Sequence, residues 1–388
     1  MKPIIKNSLA LMLLLLPVTE VMAAAPGEVK CILKGAPYNK FMTINGAIHV
    51  GVDMPIGAVV YQGQLDYAST KINYECGADF SKDPDRTVYF KERQEIKLLS
   101  TTGTPVTGAG IPTNVFKTNN PGLGIVFYAA KDKNNTLPLN VPKLSWEGQR
   151  YLNKNMTGLG YWAKPVLHYS IIKIGPIQPG VFNLTNIARM QLDVNFPDKN
   201  EVISPEFPAI NSYLEVTGSI TVTSSSCKTQ DYTVELGKHE TSKLPNKNST
   251  TKWINSDIIL TNCPAFRGYY SGGKGNVYTS ENGQTFPDRD PNELRVTIKP
   301  VNPAIPEYPG TFKVNDVPGA ATGVGIQLAF GDVGEDFVKF NTPTTFVQPI
   351  TEKAGVVSVP LRARYIRVDD RISAGRADGA ATFMIEYY

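Results

Sequence analysis

Histidine is nearly missing from this sequence: His49, His168 and His239 are all there is. None sits beside a paired serine or cysteine motif, which argues against histidine-based nucleophilic catalysis. Charge is thin as well, at 19% of residues against about 25% in an average domain. The net charge is +4 and no long Lys/Arg run exists, so nothing favours a nucleic-acid partner. Cysteine is limited to Cys31, Cys76, Cys227 and Cys263, without the short spacings of a four-cysteine metal site. Past the first 25 residues no segment is long and apolar enough to span a bilayer. No window carries a sustained helical period, and there is no internal repeat or low-complexity tract.

The apolar run that does exist lies at the start. Lys2 and Lys6 precede Leu9 to Leu16, which Pro17 closes. Val21-Met22-Ala23 and Ala23-Ala24-Ala25 are small-residue cleavage sites, so residues 1–25 read as a secretory signal peptide. Roughly ten apolar residues cannot span a membrane core that needs about 20. The mature protein is therefore expected to be exported and soluble, and loss of Lys2, Lys6 and Glu20 lowers its net charge by one. Export favours disulfides. Three pairings are open. The sequence-local one, Cys31–Cys76 with Cys227–Cys263, puts one bridge in each half. Each such bridge is worth about 3–4 kcal/mol in the loop-entropy model.

Roughly 360 residues remain, room for two domains of about 100–200 each. Gly 33, Pro 29 and Tyr 18 suit many short strands joined by turns. His49 to Val52, Ala58 to Tyr61, Lys71 to Cys76, Arg86 to Phe90, Gly124 to Ala129, Pro165 to Ile174 and Ala188 to Phe196 read as strands. Their spacing argues for an all-β sandwich over 26–196. Pro197 to Asn211, with three prolines and several charges, reads as a linker. Strand-like alternation resumes at Tyr213, in a second domain spanning 212–388. There Tyr232, Val234 and Leu236 alternate. Ile258 to Thr261 and Asn292 to Ile298 are strands. Val324, Ile326, Leu328 and Phe330 line one face, and Val357, Val359, Leu361, Ala363 and Tyr365 another. The last stretch alternates strictly, with Ala381, Phe383, Ile385 and Tyr387 opposite Thr382, Met384, Glu386 and Tyr388. A chain ending on such a strand keeps its final backbone groups for pairing, internally or with another protein.

Apparent chemical motifs lack their context. Gly268 to Lys274 imitates a P-loop, but Gly275 replaces the needed Ser/Thr. Gly158 to Ala163 fits a dinucleotide-binding spacing, but Pro165 prevents a helix from opening there. Asp83/Asp85 and Asp369/Asp370 suit solvated turns. Asn134-Asn135-Thr136, Asn183-Leu184-Thr185 and Asn248-Ser249-Thr250 match the glycosylation sequon. No enzyme and no cofactor is expected.

The second half carries a family likeness. Val216 to Ile220 precedes Cys227. Val234-Glu235-Leu236-Gly237, Cys263, Gly319 to Leu328, Val359 to Tyr365 and the closing Phe383-x-Ile385-x-Tyr387-Tyr388 follow in order. From Tyr213 to Tyr388 this resembles a fimbrial subunit of the chaperone–usher pathway. The whole chain resembles a two-domain tip adhesin of such fimbriae. Cys31/Cys76, Asn120 to Ile125 and Ile174 to Gly180 carry a looser similarity to the receptor-binding domains of type 1 and type 3 fimbrial adhesins.

The resemblance implies two immunoglobulin-like sandwiches in tandem, the second lacking its last strand. A periplasmic chaperone would lend that strand, and an adjacent subunit would later replace it, after passage through an outer-membrane usher. Phe383, Ile385 and Tyr387 are the implied assembly residues. Few residues separate the expected cleavage site from Cys31, too few for a donor strand at about 3.3 Å per residue. The chain is thus expected to accept a strand at the fimbrium tip, on the surface of a Gram-negative cell, and to bind a host glycan or matrix protein. The alternative is a tip or assembly-initiating subunit without a receptor.

A sugar site needs planar donors and acceptors with an aromatic wall, on loops at one end of a sandwich. Three stretches qualify: Gly77 to Arg86, Lys131 to Thr136, and Tyr151 to Trp162. The candidate receptor residues are Asp79, Asp83, Asp85, Arg86, Asn134, Asn135, Tyr161 and Trp162. In mannose-binding relatives the loop after the second cysteine supplies an Asn-Asp pair. The matching positions here are Ala78 and Asp79, and several residues intervene before Cys31. Both departures argue against mannose. The competing reading makes Asp79, Asp83 and Asp85 turn caps, and Trp146 and Trp162 core aromatics.

Overall fold

The computed structural model describes residues 28–66, 73–129, 132–155, 166–199 and 201–388. The expected leader, Tyr161 and Trp162 lie outside the described residues. The architecture is all-β, and a 3₁₀ turn at Thr241–Lys243 is the single helical element among the described residues.

The first half contributes β1 (Val29–Leu33), β2 (Tyr38–His49), β3 (Val59–Asp66), β4 (Tyr74–Ala78), β5 (Val88–Thr101) and β6 (Pro105–Val106). It continues with β7 (Val115–Lys117), β8 (Leu123–Ala129), β9 (Lys143–Leu152), β10 (Val166–Lys173), β11 (Gly180–Asn183), β12 (Ala188–Asn195) and β13 (Val202–Ile203). Strand β14 (Ala209–Thr223) leads onward to β15 (Ile254–Asn255), β16 (Ile258–Cys263), β17 (Val277–Ser280), β18 (Gly283–Thr285) and β19 (Glu293–Pro300). The remainder is β20 (Thr311–Lys313), β21 (Val324–Phe330), β22 (Asp336–Phe337), β23 (Thr344–Val347), β24 (Gly355–Val359), β25 (Leu361–Arg367) and β26 (Ala381–Tyr387).

Two large sheets share one core. One has the order β18-β17-β3-β10-β8-β7-β6. The other runs β11-β14-β12-β5-β9, with β2 parallel to β14. Tyr61, Ile125, Phe127 and Ile171 from the first pack with Ile44, Ile96, Met190 and Leu214 from the second. Alternate residues of each strand point inward, and burying each such side chain contributes about 1.5–3 kcal/mol. A separate core gathers residues from Cys227 to Tyr387, among them Leu260, Val296, Ile298, Phe312, Leu328 and Val359. Disulfides join Cys31 to Cys76 and Cys227 to Cys263, the sequence-local pairing.

Three segments differ from their sequence pattern. Strand β2 ends at His49, so Val50 to Val52 is loop. A side chain on Gly51 would meet the Tyr387 carbonyl oxygen at 2.1 Å, so this loop is pressed against the final strand. Second, the proline-rich stretch 197–211 is packed: Val202 and Phe207 are buried beside Phe196, Tyr74 and the Cys31–Cys76 bridge. Strand β14 already opens at Ala209 within that stretch and continues to Thr223 in the first-half sheet. Third, Tyr232 to Leu236 forms no strand.

The halves are tied by backbone pairing. Strand β17 adds in parallel to β3, Val277 opposite Gly63, and β18 turns back on β17. The Tyr278 hydroxyl donates to Asp66, and Gln284 accepts from the Asn45 N–H at 2.7 Å. Nearby, the buried His49 ring meets Phe266 edge-on at 5.4 Å and shares a 3.0 Å hydrogen bond between Nδ1 and the Thr223 hydroxyl. Burial, aided by the Arg267 charge, pushes the His49 imidazole down to about 4.

The unfolded chain therefore takes a proton on His49 before the folded one does. Stability held above about pH 6.5 is lost as pH falls toward about 4, by up to about 3 kcal/mol. Urea unfolding of the His49→Phe variant at several pH values is expected to show a shallower acid slope than the parent. Identical slopes would remove His49 from the acid response.

Candidate functional site

Strand β26 pairs with β19 in the order β23-β19-β26, so the ladder serves one of its edges. Register runs from Leu294 opposite Tyr387 to Pro300 opposite Ala381. Along the unpaired edge lies a groove of about 1180 Å³. Ala381 and Phe383 form one wall, and the segment from Asp231 to Thr241 forms the other. The floor is apolar: Ile258, Ile298, Phe312, Ile326, Leu328 and Leu361. Period-2 alternation explains it, because Ile326 and Leu328 of β21 and Leu361 of β25 turn the same way.

The far wall is the segment whose Tyr232-Val234-Leu236 alternation predicts a strand. Its sequence suits one, but a strand needs a ladder neighbour, and across the groove there is none. Tyr232 reaches the other wall, its ring centroid 6.4 Å from that of Phe383, while its hydroxyl donates to the Ser256 carbonyl at 2.8 Å. The Cys227–Cys263 bridge fixes the start of this wall to β16.

Of the assembly residues expected from the sequence, Phe383 and Ile385 are half-buried against the second core and Tyr387 is buried in it. Thr382 and Met384 face outward. The Tyr387 hydroxyl accepts from the Cys227 N–H at 3.1 Å, and burial raises the pKa of this phenol. The Tyr387 N–H donates to the Asp53 carboxylate at 2.8 Å, while the Asp53 N–H donates to the Tyr387 carbonyl at 3.1 Å. The final strand is thus hooked at its end to both halves. The Arg295 guanidinium lies 3.8 Å over the Tyr388 ring.

The receptor candidates sit in two described places. Asp79 accepts from the Ser81 N–H at 2.8 Å, and that bond holds its carboxyl below the usual carboxylate range. The Asp83 carbonyl accepts from the Arg86 N–H at 3.4 Å, Arg86 pairs with Glu28, and Asp85 pairs with Lys154 at 2.7 Å. The first and third candidate stretches are therefore neighbours. Asn134 donates its N–H to Asp132, and the Asn135 amide donates to the carbonyls of Ala129 and Leu144. Local bonding thus engages the side chains of Asp79 and Asn135, while Asn134 contributes its backbone N–H. The apolar floor of the groove was missed as a site by sequence reasoning, because each of its residues reads as ordinary core.

Residues 214–388 match the family described as fimbrial protein. No curated protein matches the chain. Among solved structures, the CupB6 tip adhesin from Pseudomonas aeruginosa is 15% identical, covering 94% of this chain and 95% of that one, with a TM-score of 0.32. The receptor binding domain of the plasmid-borne adhesin MrkD1P of Klebsiella pneumoniae is 18% identical over 52% of this chain and 98% of its own, TM-score 0.25. The CsuC–CsuE chaperone–tip adhesion subunit complex of Acinetobacter baumannii is 10% identical over 92% of this chain and 99% of the other, TM-score 0.25. Likenesses this weak settle no detail of the fold or the site.

An acid on the inward face of β26 is expected to be costly and one on the outward face is not. Phe383→Asp should lower stability by on the order of 2 kcal/mol through lost burial and a charge turned to an apolar floor. Thr382→Asp should stay within about 0.5 kcal/mol. Urea midpoints of the two variants check this; equal losses would mean that the two faces of β26 are not distinct.

Proposed function

We propose that the chain is a tip adhesin of chaperone–usher fimbriae, a reading supported by the match of residues 214–388 to the fimbrial protein family. The observation that carries the proposal is the apolar groove along the unpaired edge of β26. An extended segment with alternating apolar side chains fits there. Its backbone would continue the ladder beyond β26, and its side chains would pack onto the groove floor at Ile326, Leu328 and Leu361. A periplasmic chaperone would supply such a segment first, and an adjacent subunit after passage through the usher. The second domain would be an incomplete immunoglobulin-like sandwich, and the first, ending with β14 at about Thr223, the receptor-binding unit. The role is adhesive and non-enzymatic, on the surface of a Gram-negative cell.

The receptor belongs to the proposal too: a host glycan or matrix protein held by the first domain. A second reading, a structural tip subunit without a receptor, draws support from the local bonding of Asp79, Arg86 and Asn135. The two differ in a domain swap. Replacing the first domain by an unrelated sandwich should abolish host-cell adherence if that domain binds the receptor, and leave it intact under the second reading.

The groove itself is tested with a synthetic strand. A peptide of about ten residues with alternating apolar side chains should bind the purified chain saturably and raise its melting temperature, as any ligand of the native state does. The same peptide with Asp at the apolar positions should do neither. If both peptides behave alike, strand acceptance is wrong.

A further inference from the structure

Away from the groove, the outer face of the seven-stranded sheet carries a second concavity, of about 320 Å³. It is lined by Gln62, Gln64, Tyr128, Lys133, His168 and Asn276. The register explains how they meet. His168 of β10 lies directly opposite Gln64 of β3 on one side and Tyr128 of β8 on the other. Gln62, two residues from Gln64 on the same face, lies opposite Ser170. Lys133 reaches in from the loop after β8, and Asn276 stands just before β17, so the second half completes the pocket.

The lining is rigid where it is deep. The buried Gln62 amide donates to the Tyr169 carbonyl at 3.0 Å and accepts from the Ser170 hydroxyl at 2.6 Å. The Asn276 amide lies 3.4 Å from Nδ1 of His168. Nearer the mouth, Gln64 and Asn276 are half-buried and Lys133 is exposed.

The Gln64 and Asn276 amides and the Tyr128 phenol bring donors and acceptors together, which suits hydroxyl groups. The Tyr128 ring offers an apolar surface for C–H groups. Among the described residues that line the pocket there is no carboxylate, and Lys133 is the cation. A single cation suits one carboxylate on the ligand and is thin for a phosphate cluster. The volume is at the low end of small-molecule pockets, about 300–1,000 Å³, which fits one sugar ring. We propose that this pocket binds a single sugar residue bearing a carboxylate, its acid on Lys133 and its hydroxyls on Gln64 and Asn276. As a receptor site this rests on the adhesin reading; as a binding site it does not.

The test is calorimetric titration of the full chain with glucuronic acid, N-acetylneuraminic acid and neutral glucose. At least one acidic sugar should bind at least about five-fold tighter than glucose. Gln64→Ala and Asn276→Ala should each weaken it by about five-fold or more, the loss of one or two hydrogen bonds. Lys133→Ala should erase the preference for acid over glucose. A melting temperature equal to the parent's shows that each variant folds. No binding by the parent chain, or undiminished binding by Gln64→Ala, overturns the pocket. Host-cell adherence separates the two claims. Adherence that survives Gln64→Ala while sugar binding is lost overturns the receptor role of the pocket and leaves the adhesin reading standing. Sugar binding by a chain whose fimbriae confer no adherence supports the pocket and sinks that reading.

Discussion

A β-strand with one ladder neighbour keeps an edge without a strand partner, and β26 is such a strand. In most proteins an exposed edge is blunted by charge, proline or a bulge. Here the edge borders an apolar floor, so two features coincide: an unpaired ladder edge and a groove floored by apolar side chains. One extended segment would serve both at once. The same coincidence explains the far wall. Asp231 to Leu236 has the alternation of a strand and remains irregular, since the neighbour it needs is absent.

The junction between halves uses the opposite logic. Strand β14 belongs to the first-half sheet along its whole length and then delivers the chain to Cys227. Strand β17 returns the favour by extending that half's other sheet at β3. Paired backbone, rather than a polar linker, therefore connects the two cores. The Tyr387–Asp53 pair of hydrogen bonds adds a third tie, and it falls on β26 itself. The strand that borders the open groove is consequently anchored at its C-terminal end and unpaired along its outer edge.

How legible this was depended on the range of each signal. Phe383, Ile385 and Tyr387 could be assigned to the inner face because strand period is local. The two disulfides fitted the simplest pairing, and most strands announced themselves by alternation between turns. Three readings failed at long range. Val50 to Val52 alternates suitably, but Gly51 is needed where the loop meets the Tyr387 backbone. The prolines and charges of 197–211 read as a linker, and within it Phe207 packs edge-on to Phe196 at 4.8 Å between centroids. Tyr232 to Leu236 had the pattern and lacked the partner. In the first two cases the deciding contact lay more than ten residues away in the chain.

The polar pocket was the least legible feature, for the same reason carried further. Gln62 and Gln64 occupy the outward positions of VVYQGQLD, and His168 that of VLHYSII, where polar residues are expected on any solvated sheet face. Only register makes them a cluster, by setting His168 between Gln64 and Tyr128. Asn276 enters through a pairing that joins residues more than 200 positions apart. Searching loops for a sugar site looked where sandwiches often bind. A sheet face can serve as well, provided that another part of the chain closes one side, and here Asn276, just ahead of β17, does so.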